Sequence, residues 1–174
     1  MELWDVIRTR RSVRQYQSDK PVSDEQVRRL LEAAIAAPSG GNRQPWHFYV
    51  VRSKEVKDGL AEAAFGQSFV AEAPVAIVVC ADAGRSASRY GDRGRDLYTI
   101  QDTAIAGTHI MLAAVDMGLA TCWVGAFNEE HAAKVLRLPQ YLRPVAIFPI
   151  GHAAKESAGR TSRRPMSEVT TFVE

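Results

Sequence analysis

Apolar positions recur along the chain in helical and extended rhythms. Near the start, Leu3, Val6 and Ile7 stand at i, i+3 and i+4, one stripe of a short helix over residues 2–9. The stretch from Arg10 to Tyr16 is basic and has no apolar period. Lys20-Pro21 breaks the chain. Ser23 and Gln26 then form a Ser-x-x-Gln capping box, and Val27, Leu30, Leu31 and Ala34 follow at helical spacing. This helix ends by Ala37, because Pro38 disfavours helical geometry in the residue before it. Residues 38–46 (PSGGNRQPW) read as a loop.

His47 to Arg52 reads as a strand, and Lys54 to Ala64 as a helix carrying Val56, Leu60 and Ala63. Pro74 opens a second strand, Val75 to Ala81, apolar throughout and therefore expected to be covered on both faces. Residues 82–95 are polar, with four arginines and three glycines, and predict a mobile excursion. A long helix follows from about Arg95 to Met117. Leu97, Ile100, Ala104, Met111 and Val115 mark its apolar side, which Ile105, Ala113 and Ala114 widen. A helix apolar nearly all round belongs at the centre of a domain or at a subunit interface. Gly118 stops it. Leu119 to Val124 and Val145 to Ile150 are two further strands, separated by a short helix that Asn128 caps, with Glu129 and Glu130 in its first turn. Residues 151–174 have no core-facing helix and end in Phe172-Val173, which predicts an arm that packs on something, such as a second subunit. The order of elements gives a layered α+β or α/β domain.

The length of 174 residues suits one domain over 1–174, with 151–174 as its arm. Apolar residues are 46% and charged residues 24%, an ordinary globular balance. The net charge of +2 argues against a nucleic-acid partner. Cys80 and Cys122 lie far apart in apolar runs, which disfavours a disulfide scaffold or a structural zinc site. The four histidines show no metal-ligand spacing. No apolar run reaches the ~18 residues of a membrane span, and the start does not read as a signal peptide. A cytoplasmic protein without membrane contact is expected.

Four constellations carry chemistry. Arg10, Arg11, Ser12 and Arg14 offer three guanidiniums and a hydroxyl, a set suited to phosphate; the alternative is a solvated basic surface. Pro38 to Trp46 combines glycines, which let backbone approach a ligand, with directed donors and acceptors; the alternative is a plain connection. Thr121 to Phe127 runs out of a strand into a Gly-Ala turn, and ligands tend to sit at strand ends in layered sheets. Arg160 to Pro165 places more arginines in the arm. Neither a G-x-G-x-x-G turn after a strand, nor G-x-S-x-G, nor a P-loop is present, and no nucleophile or general base stands out. Phosphate donors, glycine loops and apolar strand ends suit a protein whose bound organic cofactor carries the chemistry.

Taken in order, the four motifs resemble the FMN-dependent nitroreductase superfamily over nearly the whole chain. RRSVRQY is similar to its N-terminal signature, and APSGGNRQPWHF to its flavin loop, the most specific of the four. IQDTAIAG, GLATCWVGAF and the terminal TSRRPMSEV complete the order. The resemblance implies a three-layer α+β fold with a central mixed, mainly antiparallel sheet flanked by helices. It implies a homodimer that exchanges its C-terminal arms and holds FMN at the interface. It implies that Arg10, Ser12 and Arg14, with Arg11 beside them, face the phosphate and ribityl side, and that Arg163 and Arg164 complete the clamp. Pro38, Ser39, Gly40 and Asn42 would contact the flavin from the partner subunit; Gly125, with Val124 and Ala126, would approach N5 through backbone; Gln67 would read the pyrimidine edge. The implied activity is ping-pong two-electron transfer from NADH or NADPH to a small planar acceptor, a nitroaromatic or quinone. The same fold also hosts ene reduction, dehalogenation and flavin breakdown, and a non-catalytic module that binds phosphate or nucleic acid is the rival from another class. Several nitroreductases have Glu-Gly where this chain has Gly125-Ala126, and some have Lys at the position of Thr161.

Overall fold

The computed structural model describes residues 1–155 and 161–173. Four strands form one sheet: β1 (Trp46–Val51), β2 (Val75–Asp82), β3 (Ala120–Thr121) and β4 (Leu142–Gly151), in the order β1-β2-β4-β3. All three pairings are antiparallel. The parallel element is a bridge between Ser12 and Thr121 at the β3 edge. Val124 bridges Ile147, so the expected third strand continues past Thr121 in register after a two-residue interruption.

β2 is buried almost end to end because both of its faces are covered. Val75, Ile77 and Val79 point into one cluster, built with α2 (Asp24–Ile35) and α6 (Thr99–Asp116). Ala76, Val78 and Cys80 point into the other, built with α3 (Lys54–Ala63), α4 (Phe69–Glu72) and α7 (Glu129–Leu136). The result is three layers: helices, sheet, helices. Both cysteines are free and buried, and burial pushes the Cys80 thiol up to about 12. The reciprocal Ser23–Gln26 capping box starts α2, with bonds of 2.9 and 3.1 Å, and Asn128 Oδ1 accepts from His131 N at 2.9 Å to start α7. No helix among the described residues is long and apolar enough to cross a membrane.

Two expectations need correction. Residues 82–95 are an ordered helix rather than a mobile excursion: α5 (Ala83–Arg93) leads through a wide turn, Gly94–Tyr98, into α6. Its stabilising contacts lie on a distant loop, so local periodicity does not reveal them. The second correction concerns the sidedness of α6. Thr99, Asp102, Thr103, Ala106, Gly107, Ile110 and Ala114 are its buried residues. Ile105 and Met111 pack against the edge of the core, but Ile100, Ala104, Leu112 and Val115, with Leu97 in the turn before the helix, stay outside both core clusters. The sheet takes the small side chains because α6 approaches it closely. α1 (Leu3–Thr9) packs against the same helix and leaves Leu3 and Trp4 exposed. The described part of the arm, residues 161–173, is exposed throughout, including Phe172 and Val173.

Gly107 marks the close approach. A β-carbon there would stand 2.7 Å from Phe148 Cζ and 2.9 Å from the Trp123 ring, and these two rings already pack edge to face at 5.0 Å. Gly107→Ala therefore overpacks the α6–sheet seam, at a cost of about 1–3 kcal/mol. Scanning calorimetry at one fixed protein concentration should show a clear drop in Tm; an unchanged Tm would contradict this packing.

Candidate functional site

The chain leaves α1 in an extended conformation and runs beside β3. Val13 N donates to Thr121 O at 3.0 Å. Val13 and Tyr16 turn inward, while Arg11, Ser12 and Arg14 stay exposed and Arg10 half-buried. Tyr16 anchors the segment: its hydroxyl donates to Val13 O at 2.6 Å, and burial raises its pKa, so it stays a donor. The Arg14 guanidinium stands 5.9 Å from the Phe69 ring centroid, which links the basic segment to α4.

Just before α4, Gln67 Nε2 donates to Ala64 O at 2.9 Å and to Ala126 O at 3.1 Å. Asn128 N donates to Ala63 O at 2.8 Å, and Val124 and Ile147 exchange two backbone bonds of 3.0 Å. The turn between Val124 and Asn128 is thus fastened on both sides. Its Gly125 and Ala126 amides are exposed and find no acceptor among the described residues. One corner of the molecule therefore gathers Arg10, Arg11, Ser12, Arg14, Gln67, Val124, Gly125 and Ala126.

The electrostatics of this corner are unbalanced. Arg28, Arg52, Arg95, Arg143 and Arg164 each pair with a carboxylate. Arg10, Arg11 and Arg14 have no carboxylate within 4.0 Å among the described residues. Three neighbouring cations with free planar donors, beside two free amides, make an anion site in search of an anion. A concavity of about 350 Å³ borders Arg11, Val13 and Thr121. A second, of about 520 Å³, lies between β1 and α7 and touches none of these residues.

The glycine loop lies elsewhere. Gly40–Asn42 form a single tight turn with Gly41 and Asn42 at positive φ. Ser39 Oγ accepts from Gln44 N at 2.9 Å, so this hydroxyl shapes the loop. Gly40 N donates to both Asp102 oxygens, at 3.1 and 3.2 Å. Asp102 is buried; that burial pushes its pKa up, and the Gly40 amide pulls it back. α5 closes over the loop: Arg43 Nε donates to Arg85 O at 2.8 Å, and Arg85 Nε to Arg43 O at 3.0 Å.

This loop and the arginine corner sit at diagonally opposite ends of the sheet. Thr121 is level with Ile150 and Val75, while Asp82 N bonds Pro45 O. With ~3.4 Å per residue along β2 and ~4.8 Å between strands, Thr121 and the loop stand roughly 28 Å apart. α6 spans the same gap, with Asp102 near one end and Asp116 at the other. One chain therefore does not bring Pro38, Ser39, Gly40 and Asn42 to Arg10, Arg11, Ser12 and Arg14. Arg163 bonds backbone and hydroxyl oxygens of Thr161, Arg164 pairs with Glu168, and both are exposed. Arg160 and the other arm residues 156–159 and 174 lie outside the described residues.

Sequence reasoning missed Phe69, Asp102, Tyr90 and Tyr98. Asp102 had a signal, a carboxylate just ahead of the apolar stretch of α6. Tyr90 and Tyr98 had one too, as aromatic residues in a polar stretch.

The chain matches the profile of the Nitroreductase family over residues 7–72 and 65–152. It is 39% identical over 160 residues to a putative NADH dehydrogenase/NAD(P)H nitroreductase of Archaeoglobus fulgidus, covering 89% of this chain and 87% of that one. It is 34% identical over 172 residues to the FMN reductase [NAD(P)H] of Bacillus subtilis, covering 91% of this chain and 68% of that one. The solved structure of the hypothetical oxidoreductase YcnD from Bacillus subtilis superposes with a TM-score of 0.89 at 31% identity, covering 100% of this chain and 76% of that one.

The Asp102 latch has a pH signature. A carboxyl whose native pKa is raised costs stability while ionised, and that cost vanishes as pH falls through the native pKa. Asp102→Asn keeps an acceptor for Gly40 and removes the buried charge. Its Tm should equal or exceed that of the wild type at neutral pH, with the margin narrowing toward about pH 4. A margin that widens on acidification would contradict this reading.

Proposed function

We propose that this chain, which belongs to the Nitroreductase family, holds FMN between two copies of itself and passes electrons in pairs from NADH or NADPH to a small planar acceptor. Membership and its relatives make it an NAD(P)H-dependent oxidoreductase; the cofactor, the dimer and the acceptor class are the proposal. The observation that carries it is the division of the site. One corner of the chain holds unneutralised guanidiniums and free amides, and the glycine loop stands at the opposite corner. FMN is too short to reach from one to the other, and a second copy related by a two-fold axis supplies the missing half to each.

The residues present fit the cofactor chemically. Arg10, Arg11 and Arg14, with the Ser12 hydroxyl, neutralise and hydrogen-bond a phosphate dianion. The Gly125 and Ala126 amides would donate to the edge of the flavin ring and orient it. Gly125 keeps that approach clear of a side chain. Gln67 commits its amide nitrogen to Ala64 and Ala126, so it positions the turn and has its oxygen left for the ring. Pro38, Ser39, Gly40 and Asn42 cover the flavin from the partner copy, and Arg163 and Arg164 reach the phosphate from an exchanged arm. FMN, when bound, would supply the two-electron redox chemistry between the nicotinamide donor and a nitroaromatic or quinone acceptor. No protein acid is needed, since solvent reaches the exposed turn with a proton.

The apolar stripe of α6 supports the dimer. Leu97, in the turn before α6, and Ile100, Ala104, Leu112 and Val115 on it lie at helical spacings, interrupted by Thr108, and Leu3, Trp4 and Ile35 are exposed nearby on α1 and α2. A second copy would bury this stripe.

Desalted protein should carry one FMN per chain and sediment as a dimer. The double variant Arg10→Ala, Arg14→Ala should bind FMN at least about tenfold more weakly, since each lost charge-assisted contact is worth over 1.4 kcal/mol. Undiminished FMN affinity in a folded variant would contradict the phosphate assignment. Initial rates at several fixed acceptor concentrations should give parallel double-reciprocal lines; intersecting lines would contradict the two-stage transfer.

A further inference from the structure

We infer that the α5 hairpin, with Arg43 beside it, is a phosphate-recognition surface for the donor nucleotide and makes this protein prefer NADPH over NADH. The inference rests on the flavin reading, because that reading places the loop under α5 against the ring.

Local contacts fix the shape of α5 and the turn after it. Asp82 caps it by accepting from Arg85 N at 3.3 Å. Gly91, at φ 56° and ψ −140°, reverses the chain in a conformation other residues avoid. Gly94 lies so close to α5 that a β-carbon there would be 2.5 Å from Ser86 O.

Four arginines meet on this surface. Arg43 and Arg85 donate to each other's carbonyl oxygens, and Arg43 Nη2 donates to Ser88 Oγ at 2.7 Å. Arg89 lies over the Tyr90 ring, 5.5 Å from its centroid. Arg93 lies over Tyr98 at 5.4 Å and donates to its hydroxyl at 3.0 Å. The two tyrosine rings pack edge to face at 5.1 Å, and both abut the glycine turn: β-carbons on Gly40 and Gly41 would touch Tyr98 and collide with the Tyr90 hydroxyl. Arg89, Tyr90, Tyr98 and Arg93 therefore form one continuous cation–aromatic ridge on the loop.

No carboxylate answers these charges. Among the described residues none lies within 4.0 Å of Arg43, Arg85, Arg89 or Arg93. Of the nearby acids, Asp92 pairs with Arg95, Asp82 caps the helix and Asp102 faces the Gly40 amide, while Asp96, in the turn after α5, pairs with none of the four arginines. Gathering like charges is unfavourable unless an anion repays it. Here carbonyl groups and aromatic faces hold the guanidiniums in place and leave most of their donors uncommitted. This is a preorganised site for bidentate phosphate contacts. NADH and NADPH share a pyrophosphate, and NADPH adds a ribose 2′-phosphate dianion. Four uncommitted cations exceed what the pyrophosphate needs.

The test uses purified FMN-loaded protein and two probes, 2′,5′-ADP and 5′-AMP, titrated calorimetrically. The former should bind at least about tenfold more tightly, the worth of one or two charge-assisted contacts. Arg89→Gln combined with Arg93→Gln should bring the two affinities together and lower the NADPH-to-NADH ratio of kcat/KM toward one. Arg89→Lys with Arg93→Lys, which keeps the charges, should retain part of the preference. Equal affinity for both probes in the wild type, or an undiminished preference in the Gln variant, would overturn the proposal. Neither titration depends on electron transfer, so failure of the flavin reading would show separately, as absence of FMN from the purified protein.

Discussion

Helix α6 lies so close to the sheet that Gly107 is the only residue type its position admits without moving Phe148 or Trp123. That closeness sorts the side chains of the helix by size. Alanine, threonine and glycine face the strands, with Ile110 the largest member of the buried face. Ile105 and Met111 reach the edge of the core, while Ile100, Leu112 and Val115 lie outside both clusters and are only partly covered in a single copy. Hydrophobic residues set at helical spacing on an open face favour burial against another surface, at roughly 25 cal/mol per Å² of apolar area. The same helix carries Asp102 toward the glycine loop at one end and leads into β3 and the arginine corner at the other. One packing constraint thus creates both the surface for association and the distance between the two halves of the site.

The charge distribution fits that division. The protein as a whole is nearly neutral, at +2, yet its unpaired arginines are not spread evenly. One group, Arg10, Arg11 and Arg14, sits beside β3. The other, Arg43, Arg85, Arg89 and Arg93, sits over the loop before β1. Of the nine other described arginines, Arg28, Arg52, Arg95, Arg143 and Arg164 pair with carboxylates, and Arg8, Arg29, Arg137 and Arg163 stand apart from one another. In the proposed dimer the two groups flank one flavin. The first is suited to a tightly held phosphate at a fastened corner. The second, exposed and stacked on tyrosine, is suited to a nucleotide that must come and go.

Much of this architecture is legible in the sequence where a local pattern has a single physical cause. The unbroken apolar run of β2 demands cover on both faces and receives it. Ser23 with Gln26, and Asn128, announce helix starts and form them. The basic run from Arg10 and the glycine loop stand out as chemistry, because their residue types serve no packing purpose. What escapes has non-local causes. α5 is polar and arginine-rich, and its partners are Arg43 and the glycine turn, some forty residues away. α4 spans four residues, too few to show a period. Which side of α6 meets the sheet is not legible from its nearly all-round apolar pattern, because the sheet selects on volume. Asp102 needs the fold to show that it faces Gly40.

The most direct test of the divided site is subunit complementation. One variant, Arg10→Ala with Arg14→Ala, damages the phosphate corner. A second, Gly41→Val, damages the loop, since a side chain there collides with Tyr90. Each is inactive alone, and the two are mixed, unfolded and refolded together. If each site takes one half from each copy, a mixed dimer holds one doubly damaged site and one intact site, and about a quarter of all sites recover FMN and activity. If one chain builds the whole site, every chain in the mixture is defective and nothing is recovered.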